Sequence, residues 1–145
     1  MRFLKTIFLF TVMFLSFSFL VYANQQVCFP KGCVDARVVI DMPALIQGLN
    51  GEKSIKDNEG MLYVLPLSRP ATFSTHYMLF PIDILWLDGE KKVMMIVRDV
   101  APCREEACPL YMPLEEYAPY ALEVNAGYAQ KHGIKVGDQF KFQSL

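Results

Sequence analysis

Four cysteines, two histidines and two carboxylates set among apolar neighbours are the reactive side chains this sequence offers. Cys28 and Cys33 form one C-x4-C pair, and Cys103 and Cys108 form a second. Two such pairs nominally supply the four thiolates of a zinc site. The C-x2-C spacing of thioredoxin-type redox sites is absent. In an oxidising compartment an even cysteine count favours disulfides, and a disulfide offers no thiolate. Four cysteines allow three connectivities, among which sequence does not choose. Local pairing, Cys28 with Cys33 and Cys103 with Cys108, is the expectation. By chain entropy, so short a loop contributes only about 2 kcal/mol, so the role expected of Cys103–Cys108 is to shape the Pro-rich loop 101–119.

The carboxylates are Asp83 in FPIDILWL and Glu123 in YALEV. An acid among apolar strand residues is either paired, bonded to backbone amides, or functional. Arg98, on the returning strand of the same hairpin, is expected on the same face as Asp83, where the two could form an ion pair or share a ligand contact. His76, Asp83 and Glu123 could converge as a carboxylate-rich site able to take a metal; their spacing alone does not show whether they do. His132 suits a last helical turn, where a cation meets the helix dipole. Asn125 is expected to cap a short helix at its N-terminus. Arg104 and Tyr111, in the cysteine loop, complete the ligand-binding candidates. No catalytic residue, metal or cofactor is assigned. The chain has no G-x-S-x-G, no H-E-x-x-H, no Gly-rich phosphate loop and no Ser–His–Asp set. These absences lower the expectation of an enzyme without excluding one.

The folded part of the chain is expected to start after residue 23. The segment MRFLKTIFLFTVMFLSFSFLVYA begins with Arg2 and Lys5, continues with an apolar run, and ends in Val21-Tyr22-Ala23. It reads as a signal peptide cleaved before Asn24; an uncleaved anchor is the alternative, since Thr6 to Ala23 is at the margin of a spanning length. The protein is therefore expected to be exported, periplasmic or extracellular. Gln25-Gln26-Val27 lacks the small residues that precede a lipid-modified cysteine. Without the segment, 12 Lys and Arg face 15 Asp and Glu, a balance that gives no reason to expect nucleic acid or an anionic membrane as partner.

Residues 24–33 read as a leader carrying the first cysteine pair, and 34–145 as one domain. Strands are expected at 34–41, 60–65, 72–79, 82–87, 92–100 and 120–124, with a short helix or loop at 44–56. Asp88-Gly89 is the clearest hairpin turn. Its flanking strands are apolar on both faces and are expected in the centre of a sheet. A helix is expected over 125–133, closed by Gly133, and Val136-Gly137-Asp138 turns into a last strand. Trp86, Phe73, Phe80, Tyr63 and Tyr77 are expected in the core. The pattern is a mainly β chain with one or two short helices.

The stretches NEGMLYVLP (58–66), TFSTHYMLFPIDILWLD (72–88), APCREEACPLY (101–111) and ALEVNAGYAQKHGIKVGDQF (121–140), in this order and spacing, resemble the DUF192 family of bacteria and archaea. The resemblance runs from about Val34 to Phe142. It implies a jelly-roll-like β-sandwich, with a small closed barrel as the alternative, and frequent secretion, but no settled activity. Where many members carry Trp-Met-Lys-Asn-Thr, this chain has Ser74, Thr75, His76, Tyr77 and Met78, so a ligand site built there would differ in size and charge. The leading expectation is a non-enzymatic cell-envelope module that binds a small ligand, a glycan or a partner protein. Its cleft would be lined by residues 73–83, 101–111 and 123–127. The alternative is an envelope enzyme, a metal-assisted hydrolase using His76, Asp83 and Glu123.

Overall fold

Strand-forming apolar residues over 24–29, 32–39, 59–64, 82–87, 93–100 and 120–125 build one mixed sheet in the computed structural model, which describes residues 24–66, 71–113 and 118–142. The strands are β1 (Asn24–Phe29), β2 (Gly32–Val39), β3 (Glu59–Val64), β4 (Ile82–Leu87), β5 (Val93–Val100) and β6 (Tyr120–Asn125). Their order across the sheet is β1-β2-β3-β6-β4-β5. Neighbours are antiparallel except β2 and β3, which run parallel. Two short helices, α1 (Met42–Gln47) and α2 (Tyr128–Lys131), complete the elements among the described residues. The fold is mainly β and sandwich-like; the sheet is open, so the closed barrel is not formed. The apolar segment 1–23 lies outside the described residues. Among those residues no helix is long and apolar enough to cross a membrane.

Both sheet faces are buried, each under its own core. Val34, Ala36, Leu62, Leu85, Leu122 and Val124 point to one face and pack with Phe29, Tyr128, Ile134 and Phe140. Tyr63, Ile84, Trp86 and Ala121 point to the other and pack with Leu49, Phe80 and residues of α1. β4, with neighbours on both edges, is buried at all six positions. Its apolar run is what a central strand requires.

Several expectations need correction. The segment 24–29 is not a leader but the first strand, paired with β2 so that Cys28 faces Cys33 directly. Only half of the Asp88-Gly89 hairpin is central. β5 is an edge strand with a partly exposed pattern, and its methionines supplied the apolar signal. Residues 72–79 form no strand. Proline at 81 and the turn at 76–77 leave one bridge, Phe73 to Tyr111. Tyr77 is 66% exposed, not core. Pro43, which ends the β2 run, starts α1: Asp41 accepts a hydrogen bond from Ala44 N at 3.0 Å and caps it. The last strand is reduced to isolated bridges from Gln139 to Lys92 and from Lys141 to Cys28.

Candidate functional site

Alternation along β6 puts Leu122 and Val124 into one core and Glu123 onto the opposite face. There the register fixes its neighbours: Met61 of β3 on one side and Ile84 of β4 on the other. Glu123 is 5% exposed. Its one hydrogen-bonding partner among the described residues is the Tyr63 hydroxyl, which donates to Oε2 at 2.5 Å. Burial pushes the Glu123 carboxyl up to about 7, while the Tyr63 hydrogen bond works against that rise. Burial, and next the negative charge of Glu123, push the Tyr63 phenol well above its ordinary range. Tyr63 therefore stays protonated and remains the donor.

Above this pair opens a cleft of about 560 Å³. Met42, Leu45, Ile46 and Leu49 form one wall, from α1 and the turn after it; Ala71, Thr72, Phe73 and Ser74 form another; Tyr63, Leu65 and Glu123 form the floor. The walls are mostly apolar, and Ile46 at the mouth is 71% exposed. Phe73 stands edge-on to both Tyr63 and Trp86, with centroids 4.8 and 5.6 Å apart. Gly48 shapes the floor, and Gly60 the sheet beneath it. Gly48 has φ +49°, and a Cβ there would lie 2.5 Å from the Tyr63 hydroxyl oxygen, so no other residue lets α1 approach Tyr63 this closely. A Cβ on Gly60 would lie 2.6 Å from the Glu123 carbonyl oxygen and 2.9 Å from Val34; Gly60 thus lets β3 seat against β6.

Of the residues expected to act together, the fold separates most. Asp83 is fully buried on the opposite face of the sheet from Glu123, since it pairs with Val124 in the register. It accepts backbone N–H bonds from Asp99 at 3.0 Å, Gly127 at 3.1 Å and Ala129 at 2.9 Å. Of the alternatives posed by its sequence setting, the one realised is a carboxylate bonded to amides. Arg98 does not pair with it. The β4–β5 register shifts between Ile82 and Ile84, Asp99 takes φ +51°, and Arg98 donates instead to the Ile134 carbonyl at 3.1 Å.

Asn125 does not cap the helix. Gly127 occupies the cap position without a side-chain bond, and Asp83 satisfies the first amides of α2 from β4. The Asn125 amide donates to the carbonyls of Ile55 and Lys56 at 3.2 and 3.0 Å. His132 follows α2 and packs edge-on to Phe29. Arg104 is exposed, and Tyr111 is half-buried under the Phe73 bridge. His76 lies outside the cleft, with Nδ1 3.1 Å from Cys108 Sγ. His76, Asp83 and Glu123 thus meet in no common cleft. The sulfurs are at disulfide distance in both expected pairs, Cys28–Cys33 and Cys103–Cys108.

Sequence marks Tyr63 only as core. It lies 60 residues from Glu123 in the chain, and no local pattern joins them. The one signal available is a tyrosine inside an apolar strand, whose hydroxyl needs a partner when buried.

Two solved structures share the architecture. A Novosphingobium aromaticivorans protein of unknown function matches with TM-score 0.69 at 24% identity, covering 81% of this chain and 83% of that one. A Sinorhizobium meliloti protein, named as a candidate transcription regulator, matches with TM-score 0.72 at 24% identity, covering 83% and 95%. At this identity the likeness extends to the fold alone. No curated protein matches the chain. The family model of DUF192, described as "Uncharacterized ACR", matches residues 27–142, nearly all of the sheet and both helices, and the chain belongs to that family.

Proposed function

We propose that this protein is a non-enzymatic binding module of the cell envelope. Its ligand is a small molecule with an apolar body and a cationic or hydrogen-bond-donating group. The observation that carries this reading is Glu123, a buried carboxyl at the floor of an apolar-walled cleft, with Tyr63 its one bonded partner among the described residues. A buried carboxylate without a counter-charge is costly. A ligand that brings the missing donor offsets that cost, and the cleft is of the size that holds small ligands. The apolar walls favour an apolar body over a glycan. The signal-like segment 1–23 and the paired cysteines support an exported location.

Thermal unfolding of the full chain with benzylamine, and with its neutral counterpart benzyl alcohol, tests this reading. The amine is expected to raise the midpoint more than the alcohol does, and Glu123→Gln to remove the difference. Equal effects of both compounds on both proteins, or none on either, would sink the proposal. A second reading rests on the same residue. A carboxyl pushed up to about 7 beside a cleft suits proton transfer, so an envelope enzyme with Glu123 as the acid–base group is the alternative. Turnover of a bound ligand that stops in Glu123→Gln would favour it.

A further inference from the structure

A second group of chemistry-bearing side chains lies outside the cleft, where the cysteine loop meets the segment after Phe73. The ring nitrogen of His76 that faces Cys108 is 3.1 Å from its sulfur. His76, Cys103 and Cys108 each offer a donor atom, all within 4.8 Å of one another, and all three residues are half-buried. An imidazole and two thiolates suit a d10 cation such as zinc. A cysteine ligates a metal as its thiolate, so the disulfide closes this donor set.

The loop does not depend on the disulfide to stay near His76. Thr75, 1% exposed, donates its hydroxyl to the Ala101 carbonyl at 2.9 Å and accepts the Cys103 N–H on its own carbonyl at 3.1 Å. Phe73 and Tyr111 exchange two backbone hydrogen bonds, each 2.9 Å. Both ends of the 101–111 loop are therefore stitched to 73–75, the segment that leads directly into His76. These contacts tether the loop beside the imidazole independently of the sulfur–sulfur bond. Cys28 and Cys33 belong to no such three-donor group among the described residues.

We infer that His76, Cys103 and Cys108 are a redox-gated zinc site, closed as the disulfide and open as the dithiol. An external dithiol supplies two electrons and two protons. It attacks one sulfur, the Cys103–Cys108 bond breaks, the mixed disulfide resolves, and the donor leaves as its own disulfide. The two freed thiols lose their protons on binding the ion. Two thiolates and one imidazole nitrogen then hold the zinc, and water takes the fourth position. An external disulfide reverses the exchange: it takes the two electrons back and leaves as its dithiol, the Cys103–Cys108 bond re-forms, and the zinc, left without thiolate ligands, is released.

The test uses the full chain, reduced with dithiothreitol, freed of it without air, and equilibrated with zinc alone. Reduced wild type is expected to retain one zinc equivalent more after desalting than Cys103→Ser/Cys108→Ser treated in parallel; the Cys28 and Cys33 thiols are common to both. Oxidised wild type is expected to retain none at this site. His76→Ala, which leaves both disulfides in place for folding, is expected to weaken zinc binding in the reduced state by more than about tenfold. Equal retention by reduced wild type and the double variant would overturn the proposal, as would unchanged affinity in His76→Ala. Loss of the near-ultraviolet dichroism of wild type on reduction would also overturn it, because the site requires the loop to hold without its disulfide.

Discussion

Glu123 concentrates the unusual chemistry of the cleft in one proton. Its carboxyl titrates at about 7 in the folded chain, against an ordinary value of 4.5. The raised value means that the folded state holds this proton more tightly than the unfolded state does. The group's stabilising contribution is thus complete below pH 4.5 and is lost as pH rises through 7. At about 1.4 kcal/mol for each pH unit between the two values, the loss amounts to roughly 3 kcal/mol. Glutamine does not titrate and its amide oxygen still accepts from Tyr63. The stability of Glu123→Gln relative to wild type is therefore expected to climb by about 3 kcal/mol between pH 4.5 and 7. Urea unfolding at half-unit pH steps measures this, and a difference that stays flat would show that Glu123 is not held as described. A ligand cation in the cleft would reverse the trend, since it favours the ionised form.

At the scale of elements, Asp83 fastens β4 to two neighbours at once. Its two oxygens receive an amide from β5 and two from the start of α2. A helix of four residues has little stability of its own, so this carboxylate holds α2 against the core formed by Tyr128 and Ala129. Asp83→Ala leaves three amides without their acceptor, an expected loss of at least about 3 kcal/mol. Asp83→Asn, which keeps one oxygen, is expected to lose less. Neither variant should change benzylamine affinity at 25 °C, because Asp83 and the cleft lie on opposite faces. Changed affinity in a folded Asp83→Asn would place Asp83 in the binding site.

The same element shows how far local sequence carries. The Asp88-Gly89 turn was legible because its chemistry is local: Asp88 accepts the amides of Glu90 at 2.8 Å and Lys92 at 2.9 Å. Gly133, with φ +62°, ends the helical turn where a left-handed residue is needed. Asn125 misled because an equally good acceptor arrives from 44 residues away in the chain. Glu123 was legible as an acid out of place. Its partner was not, because the β3–β6 register sets it and that pairing is non-local.

At the scale of the whole molecule, the open sheet has two edges to protect, and the C-terminal segment covers part of both. Lys141 exchanges backbone bonds with Cys28 on β1, at 2.9 and 2.7 Å. Gly137 and Asp138 bond to Val93 on β5, and Phe140 N donates to the Lys91 carbonyl. Between these attachments Phe140, 1% exposed, fills the core beside Phe29, with ring centroids 5.6 Å apart. Unpaired edges invite intermolecular pairing, and loss of a buried Phe costs about 3–5 kcal/mol. The two effects are separable. Phe140→Ala keeps the backbone bonds and is expected to lose about 3–5 kcal/mol in urea unfolding while its oligomeric state stays as in wild type. Ending the chain after Val136 removes both the ring and the edge cover, and is expected to lose at least as much and to aggregate with rising concentration in light scattering. A truncated chain that matched wild type in midpoint and light scattering would show that the C-terminal segment is dispensable. One that matched Phe140→Ala in both would show that the ring matters but that the edges need no cover.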